Sequence, residues 1–338
     1  MTQAERERAM DGRCKVSILC TAYNHEEYIR EALERFVAQE TDFEYEILVN
    51  DDCSTDGTAE IIREFAQRYP DKLRPFYQKE NLYSKGGMPF LFESVFFPNA
   101  RGEYFALCEG DDYWTDARKL QMQVDFLDAH GDYSGCVHNT RLHYCDASAP
   151  DAPLRPEGEG DRDVAFETVI HGPSKSFHTS SILARREFIL DPPDYHLVAA
   201  RHGFTDYAIG IRLTLGGRLR FIDRCMSVYR ISSNPAAWSA KLDRHYARLK
   251  EFVTGEIAMM QTLLPQLDGD KRALTQRVII EREYELNYIM GRVELLTRPP
   301  YDEIFKEKPF KTRLGIRLKQ LFPHLHRLYR RHCGYEDY

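Results

Sequence analysis

Three short stretches put carboxylates and hydroxyls where an ionic ligand could be held: "TAYNH" (Thr21 to His25), "NDDCSTDG" (Asn50 to Gly57) and "CEGDDYWTD" (Cys108 to Asp116). Each alone reads as ordinary turn chemistry, because Asp, Asn, Ser and Gly favour turns and helix caps. Their joint occurrence changes the reading. Adjacent Asp111 and Asp112 offer hard oxygen ligands of the kind that suit Mg²⁺ or Mn²⁺. Two acidic strand ends in one cleft cost stability unless a cation or a donor-rich ligand is present. Such a site takes few carboxylates and several phosphate oxygens, so a metal-diphosphate ligand is the economical inference. Neither G-x-x-x-x-G-K-[ST] nor a G-x-G-x-x-G after the first strand occurs, which disfavours a P-loop NTPase and a dinucleotide dehydrogenase.

The elements that must position these residues alternate. "KVSILC", "YEILVN", "KLRPFYQ" and "EYFALC" read as strands, each leading into a polar loop. Between them, "EEYIREALERFVAQ" repeats Tyr28, Ile29, Ala32, Leu33, Phe36 and Val37 at helical spacing. "DGTAEIIREFAQRY" does the same with Ala59, Ile62, Phe65 and Ala66, and Asp56 or Thr58 is placed to cap its start. "PFLFESVFFPNA" reads as a short helix and "ARKLQMQVDFLDAH" as a longer one. The alternation predicts an α/β fold with a mainly parallel sheet covered on both faces, and ligands at the carboxyl ends of its strands. After Ser134 come a strand, "YSGCVHNTRLHYC", and a polar surface excursion rich in Pro, Gly and Asp, "DASAPDAPLRPEGEGDRD". "DYAIGIRLTLGG" is helix-like, "LRFIDRCMSVYRI" suggests two short strands, and beyond Asn234 the chain turns helical.

The chain has 338 residues, 43% hydrophobic and 29% charged, enough to bury one sizeable core and a smaller second unit. A net charge of −7 gives no reason to expect nucleic-acid binding. The eight cysteines are scattered, without C-x-x-C, and read as thiols of a reducing, cytoplasmic compartment. Neither a signal-like apolar segment nor a run of roughly 18 apolar residues is seen.

"VSILCTAYNHEEYIREALERFVAQ", "YEILVNDDCSTDGTAEII" and "GEYFALCEGDDYWTDARKLQMQVDFLD", in this order, resemble the nucleotide-sugar half of family 2 glycosyltransferases, which have the GT-A fold. The resemblance runs from about Lys15 to Ser233 and departs from the family pattern at Thr21-Ala22, where a proline is usual. It implies a GT-A, Rossmann-like mixed sheet flanked by helices, with a helical C-terminal extension. The expected division is a tail (1–14), a transferase domain (15–234, with a nucleotide-sugar half 15–133 and an acceptor half 134–234) and a helical region (235–338).

By position, the resemblance places Thr21, Ala22 and Tyr23 at the base pocket, Tyr23 by stacking. Asp52 would accept from the imide N–H of uracil or thymine, Asp111 would approach the ribose or a metal-bound water, and Asp112 would ligate Mn²⁺ or Mg²⁺. An inverting transfer also needs a base for the acceptor hydroxyl. Asp206 in "HGFTDYAIGIRLTLGG" matches the family's acidic residue at a helix start, its other reading being a helix cap. His178 and Ser180 would border the acceptor, and Arg230 would approach the diphosphate or pair with a structural carboxylate. Trp114 is either apolar wall or a platform for the acceptor sugar.

The resemblance implies a metal-dependent inverting hexosyl- or hexosaminyltransferase (EC 2.4) acting from UDP- or dTDP-sugar, and with the basic C-terminus it suggests a saccharide or lipid-linked acceptor in bacterial surface polysaccharide synthesis. The rivals are a sugar nucleotidyltransferase of similar fold, whose basic glycine-rich loop is missing from "CTAYNHEEY", and a non-catalytic carbohydrate-binding or scaffold protein. Near the C-terminus, Lys311, Arg313, Arg317, Lys319, Arg327, Arg330 and Arg331 alternate with Leu314, Leu318, Leu321, Phe322, Leu325 and Leu328. This segment reads either as a peripheral contact with the inner face of a membrane or as a packed terminal helix with a solvated basic face, interrupted at Pro323.

Overall fold

A computed structural model describes residues 14–172, 176–190, 193–201, 205–231 and 246–324. The chain divides into two compact units, Met1–Ser233 and Asn234–Tyr338.

The first unit begins β1 (Cys14–Ala22), α1 (Ile29–Val37), β2 (Glu44–Asp51), α2 (Thr58–Arg68), β3 (Leu73–Tyr77), α3 (Tyr83–Leu91) and β4 (Tyr104–Leu107). It continues with β5 (Tyr113–Trp114), α4 (Lys119–Ala129), β6 (Tyr133–Tyr144), β7 (Ala152–Pro153), β8 (Arg162–Asp163) and α5 (Phe166–Ile170). β9 (Leu183–Arg185), α6 (Asp194–Arg201), α7 (Thr205–Gly216) and β10 (Arg218–Ile231) complete it. The sheet runs β3-β2-β1-β4-β9-β6-β10-β5, with β7 and β8 attached to β6 and β10. Pairs among β1 to β4 are parallel, β9 runs antiparallel to both β4 and β6, and β6 and β10 are parallel.

β1 is central, and Val16, Ser17, Ile18, Leu19 and Cys20 are all buried, as a strand covered on both faces requires. α1 covers it with Ile29, Ala32, Leu33 and Phe36, a stripe at the 3.6-residue period. Replacing fully buried Phe36 by alanine would remove about 3–5 kcal/mol. The chain passes from β1 outward to β3 on one side and returns to β4 on the other. Beside β1 the connections therefore reverse direction, which opens a crevice at the strands' carboxyl ends.

Two local expectations change, and one surface segment gains a defined anchor. The short helix starts at Tyr83 rather than Pro89, bends at Gly87 (φ 66°) and widens into a π-helical turn over Phe92–Phe96. The expected pair of strands near the end of this unit is one strand, β10, with register shifts between Ile222 and Ser227 that mark a bulge. The polar excursion is pinned: Asp223 Oδ2 accepts from Gly158 N–H (2.9 Å) and Gly160 N–H (2.8 Å), glycines whose positive φ of 88° and 79° other residues rarely adopt.

The second unit contains α8 (Tyr246–Leu263), α9 (Gly269–Ile289), α10 (Asp302–Glu307) and α11 (Phe310–Leu321). Its small core joins Tyr284, Val293, Leu296, Ile304, Phe305 and Ile316. Leu325, Arg327, Leu328, Arg330 and Arg331 lie outside the described residues. Among the described residues no helix is long and apolar enough to cross a membrane, and the seven cysteines described are free thiols.

Candidate active site

Strand register sets the geometry of the crevice. Thr21 lies opposite Asn50 and Ala22 opposite Asp51, so the chain leaves β1 and β2 at one height. Side chains then lace the two loops together. Asn24 takes a left-handed backbone (φ 55°), which its short amide side chain makes tolerable by bonding locally. Its N–H donates to Ser54 Oγ at 3.0 Å and its Oδ1 accepts from Thr55 N–H at 2.8 Å. His25 N–H donates to Thr58 Oγ1, and Glu26 Oε2 accepts from Gly57 N–H, both at 2.7 Å. Ala22 is buried, Thr21 half-buried, and Tyr23 stands 45% exposed at the rim. Asp56, not Thr58, organises the start of α2, its Oδ1 accepting from Thr58 N–H at 3.0 Å.

Asp52 is buried, and its two oxygens accept from Leu82 N–H (2.8 Å) and Tyr83 N–H (2.9 Å). It thus caps α3 from across the fold, which explains why that helix begins earlier than its own sequence pattern suggests. Each carboxylate oxygen retains accepting capacity for a further donor.

The stretch after β4 folds back beneath these loops. Gly110 N–H donates to Thr21 O at 2.8 Å. A Cβ on Gly110 would stand 2.7 Å from Ile29 Cδ1 and 3.2 Å from Thr21 O, so no larger residue fits without displacement. The turn carries Glu109, Asp111 and Asp112, whose ligand atoms all lie within 4.8 Å of one another. Asp112 is buried; its Oδ1 accepts from Arg230 N–H at 3.0 Å, while Oδ2 has no hydrogen-bond partner in the protein. Asp111 Oδ1 is likewise unpartnered, and its Oδ2 lies 3.8 Å from His25 Nε2.

Burial, and then the neighbouring acids Asp111 and Glu109, push the Asp112 carboxyl well above the usual range. Burial, Asp111 and Asp206 push Glu109 up to about 8. Without a cation the turn therefore holds protons at neutral pH. Across the crevice, Asp206 sits in the first turn of α7 with Oδ1 accepting from Tyr207 N–H at 2.9 Å, and burial raises its carboxyl too. The Tyr83 phenol is raised by burial and then by the charges of Glu109 and Asp206, which ties α3 to the same acidic field.

Four remaining candidates are sorted by the structure. His178 stacks on Tyr229 (ring centroids 4.1 Å apart), and its Nδ1 lies 3.6 Å from Asp112 Oδ2. Burial pulls its value down to about 4, so the ring is neutral. Its Nδ1 accepts from Ser180 N–H at 3.3 Å, and a backbone N–H can only donate, so the ring proton resides on Nε2. Ser180 is fully buried, with Oγ 2.9 Å from His178 Nδ1 and 3.0 Å from Ser227 Oγ. It supports His178 from behind instead of meeting an acceptor.

Trp114 is also fully buried: its indole N–H donates to Ser180 O at 2.9 Å, Phe36 meets it edge-on, and the Lys119 ammonium lies 4.1 Å from its ring centre. The platform reading is thereby corrected, and the ring is wall. Arg230 makes the internal pairing with a carboxylate that was the second of its two readings. Its guanidinium donates to Asp111 O at 2.6 Å, pairs with Glu31, and lies 4.4 Å from the Tyr113 ring centre. Sequence reasoning passed over Glu109, Glu31 and Tyr83. The E-x-D-D spacing was a usable signal for Glu109, whereas the other two join the site only through tertiary contacts.

The family model for glycosyl transferase family 2 matches residues 17–146. The uncharacterized protein Rv1520 of Mycobacterium tuberculosis is 38% identical over 254 residues, covering 75% of this chain and 68% of that protein. Staphylococcus aureus TarS, a poly(ribitol-phosphate) β-N-acetylglucosaminyltransferase, is 34% identical over 119 residues, which span 34% of this chain and 19% of TarS. In structure, S. aureus TarS 1–349 in complex with UDP-GlcNAc superposes with a TM-score of 0.58 at 19% identity, covering 85% of this chain and 78% of that one. The superposition shows a shared GT-A fold, and together with the sequence matches it establishes that this chain belongs to glycosyltransferase family 2.

Proposed function

We propose that this glycosyltransferase moves a hexosyl or hexosaminyl group from a UDP- or dTDP-sugar to a hydroxyl of a saccharide or lipid-linked saccharide. The transfer inverts the anomeric carbon, requires Mn²⁺ or Mg²⁺, and serves bacterial surface polysaccharide synthesis. The observation that carries the reading is the Glu109, Asp111 and Asp112 cluster, in which a buried oxygen of Asp112 lacks any partner in the protein. A set made only of carboxylate oxygens, in which Asp111 Oδ1 and Asp112 Oδ2 are buried without a partner, suits a hard divalent cation. TarS, 34% identical over 119 residues, is solved in complex with UDP-GlcNAc, which supports a UDP donor.

In this reading Asp112 and Glu109 hold the cation, with Asp111 turned to the ribose or to a bound water. A divalent cation there acts as a Lewis acid that stabilises the departing diphosphate. Thr21, Ala22 and Tyr23 border the base, and Asp52 accepts from its imide N–H with the capacity left after capping α3. Asp206 takes the proton from the acceptor hydroxyl as that oxygen bonds to the anomeric carbon and the carbon–phosphate oxygen bond breaks. Its raised affinity for protons makes it a stronger base than an exposed aspartate. His178, neutral and protonated on Nε2, serves as a hydrogen-bond donor to bound substrate.

Thermal melting of the full chain with UDP, dTDP, GDP and CMP, with and without MnCl₂, tests this. The expectation is a Mn²⁺-dependent rise with UDP or dTDP that Asp112→Asn abolishes. A rise with GDP alone would remove the pyrimidine pocket, and rises indifferent to Mn²⁺ would remove the metal.

A further inference from the structure

Helix α11 (Phe310–Leu321) packs into the second unit by one edge and turns a different, more apolar edge outward. Ile316 is its one buried residue and belongs to the core with Phe305 and Tyr284. Gln320 Nε2 donates to Val293 O at 2.6 Å from nearly the same edge. Phe310, Leu314, Leu318 and Leu321 are 69%, 46%, 46% and 71% exposed, and Phe322, just past the helix end, is 54% exposed. At 3.6 residues per turn the four helical residues fall within an arc of about 80°, centred about 160° from Ile316. A packed terminal helix with a solvated basic face would show the opposite arrangement, with its leucines inside.

An outward stripe of large apolar side chains marks an interaction surface. Its chemistry is set by the flanks. Lys311, Arg313, Arg317 and Lys319 interleave with the stripe, and no acidic residue occurs from Lys308 to Tyr335 in a chain whose net charge is −7. Lys311 and Arg317 are exposed, and Lys319 Nζ sits 3.0 Å from the hydroxyl of Tyr288, itself 43% exposed. Packing this face against a second copy of itself would oppose cation to cation. A bilayer with anionic headgroups instead meets both demands, an apolar layer for the stripe and negative charge for its borders.

We propose that α11 is a membrane-surface docking helix that lays Phe310, Leu314, Leu318 and Leu321 into the headgroup boundary of an anionic bilayer. The inference is independent of the donor, metal and base assigned above.

Co-sedimentation of the full chain with phosphatidylcholine vesicles, with and without phosphatidylglycerol, tests it. Binding is expected only with phosphatidylglycerol and is expected to weaken with salt. The double variant L314E/L318E should abolish binding, and K311Q/R317Q should weaken it by about thirtyfold. All four positions are exposed or half-buried surface, so melting temperatures should stay at the wild-type value; if L314E/L318E melts early, K311Q/R317Q decides. Equal binding to neutral and anionic vesicles, no binding to either, or unchanged binding by K311Q/R317Q would overturn the proposal. So would a dimer in sedimentation velocity that L314E/L318E dissociates without any vesicle binding, since the face would then join two copies.

Discussion

Arg230 holds Asp112 through its backbone and the neighbouring peptide through its side chain: its N–H donates to Asp112 Oδ1 at 3.0 Å while its guanidinium donates to Asp111 O at 2.6 Å. One residue of β10 thus fixes two consecutive residues of the acidic turn, Asp112 by its side chain and Asp111 by its peptide carbonyl, with Glu31 of α1 neutralising its charge. Arg230→Met should lower stability by about 1–2 kcal/mol, because it removes the guanidinium's bond to Asp111 O and the partner of half-exposed Glu31, while the backbone N–H that serves Asp112 is kept. It should also weaken Mn²⁺-dependent UDP binding, while Glu31→Gln has a smaller effect on both. Urea unfolding and nucleotide titration of the two variants separate these outcomes. Intact nucleotide affinity in a destabilised Arg230→Met would limit Arg230 to the fold.

The acidic turn predicts a pH dependence of unusual sign. Glu109 is pushed from 4.5 up to about 8, so across that interval the folded chain binds more protons than the unfolded one. Stability from this group is greatest at the acid end and is lost as pH rises through the interval. Asp112, raised in the same direction, adds to the trend. Melting temperatures of the metal-free protein between these pH values should fall accordingly, and the rise produced by MnCl₂ should grow with pH as protons cease to compete. A Mn²⁺ effect that is flat with pH would be inconsistent with carboxylate ligands.

Asp206→Asn preserves the size of the side chain and the acceptor used by Tyr207 N–H while removing the basic oxygen. Turnover of the donor sugar should fall by about 10²–10⁴-fold, as expected for loss of a general base. Thermal shifts with nucleotide and Mn²⁺ should stay close to those of the parent. Comparable losses in binding and turnover would make Asp206 a cap of α7 and nothing more.

Gly110→Ala tests how closely the turn fits beneath the first loop. Its Cβ would lie 2.7 Å from Ile29 Cδ1 and 3.1 Å from His25 Nδ1. A cost of about 1–3 kcal/mol follows from overpacking, together with weaker metal-dependent nucleotide binding as the turn shifts. A variant as stable as the parent would mean that Ile29 and His25 yield at little cost.

Legibility in the sequence followed the range of the interactions. β1, α1, β2 and α2 were readable because each presents its own period, as with Ile29, Ala32, Leu33 and Phe36 on one side of α1. The start of α3 was not, since its cap is Asp52, contributed from the end of β2. The bulge in β10 escaped for a similar reason, its register being set by β6. At the crevice, Asp111 and Asp112 stood out by residue type and placement after a strand, and Asp206 by the resemblance to the family. The internal duties of Arg230, Ser180 and Trp114 did not, because a polar side chain reads alike whether its partner is a ligand or a distant backbone carbonyl.

The lacing of the loops after β1 and β2 has a kinetic consequence. Asn24, Glu26, Ser54 and Thr58 tie those loops together within the protein itself, so their conformational entropy is surrendered when the chain folds rather than when a nucleotide arrives. The wall proposed to meet the base is therefore preorganised, and capture at that wall should proceed at a rate governed by encounter and electrostatics instead of by loop closure.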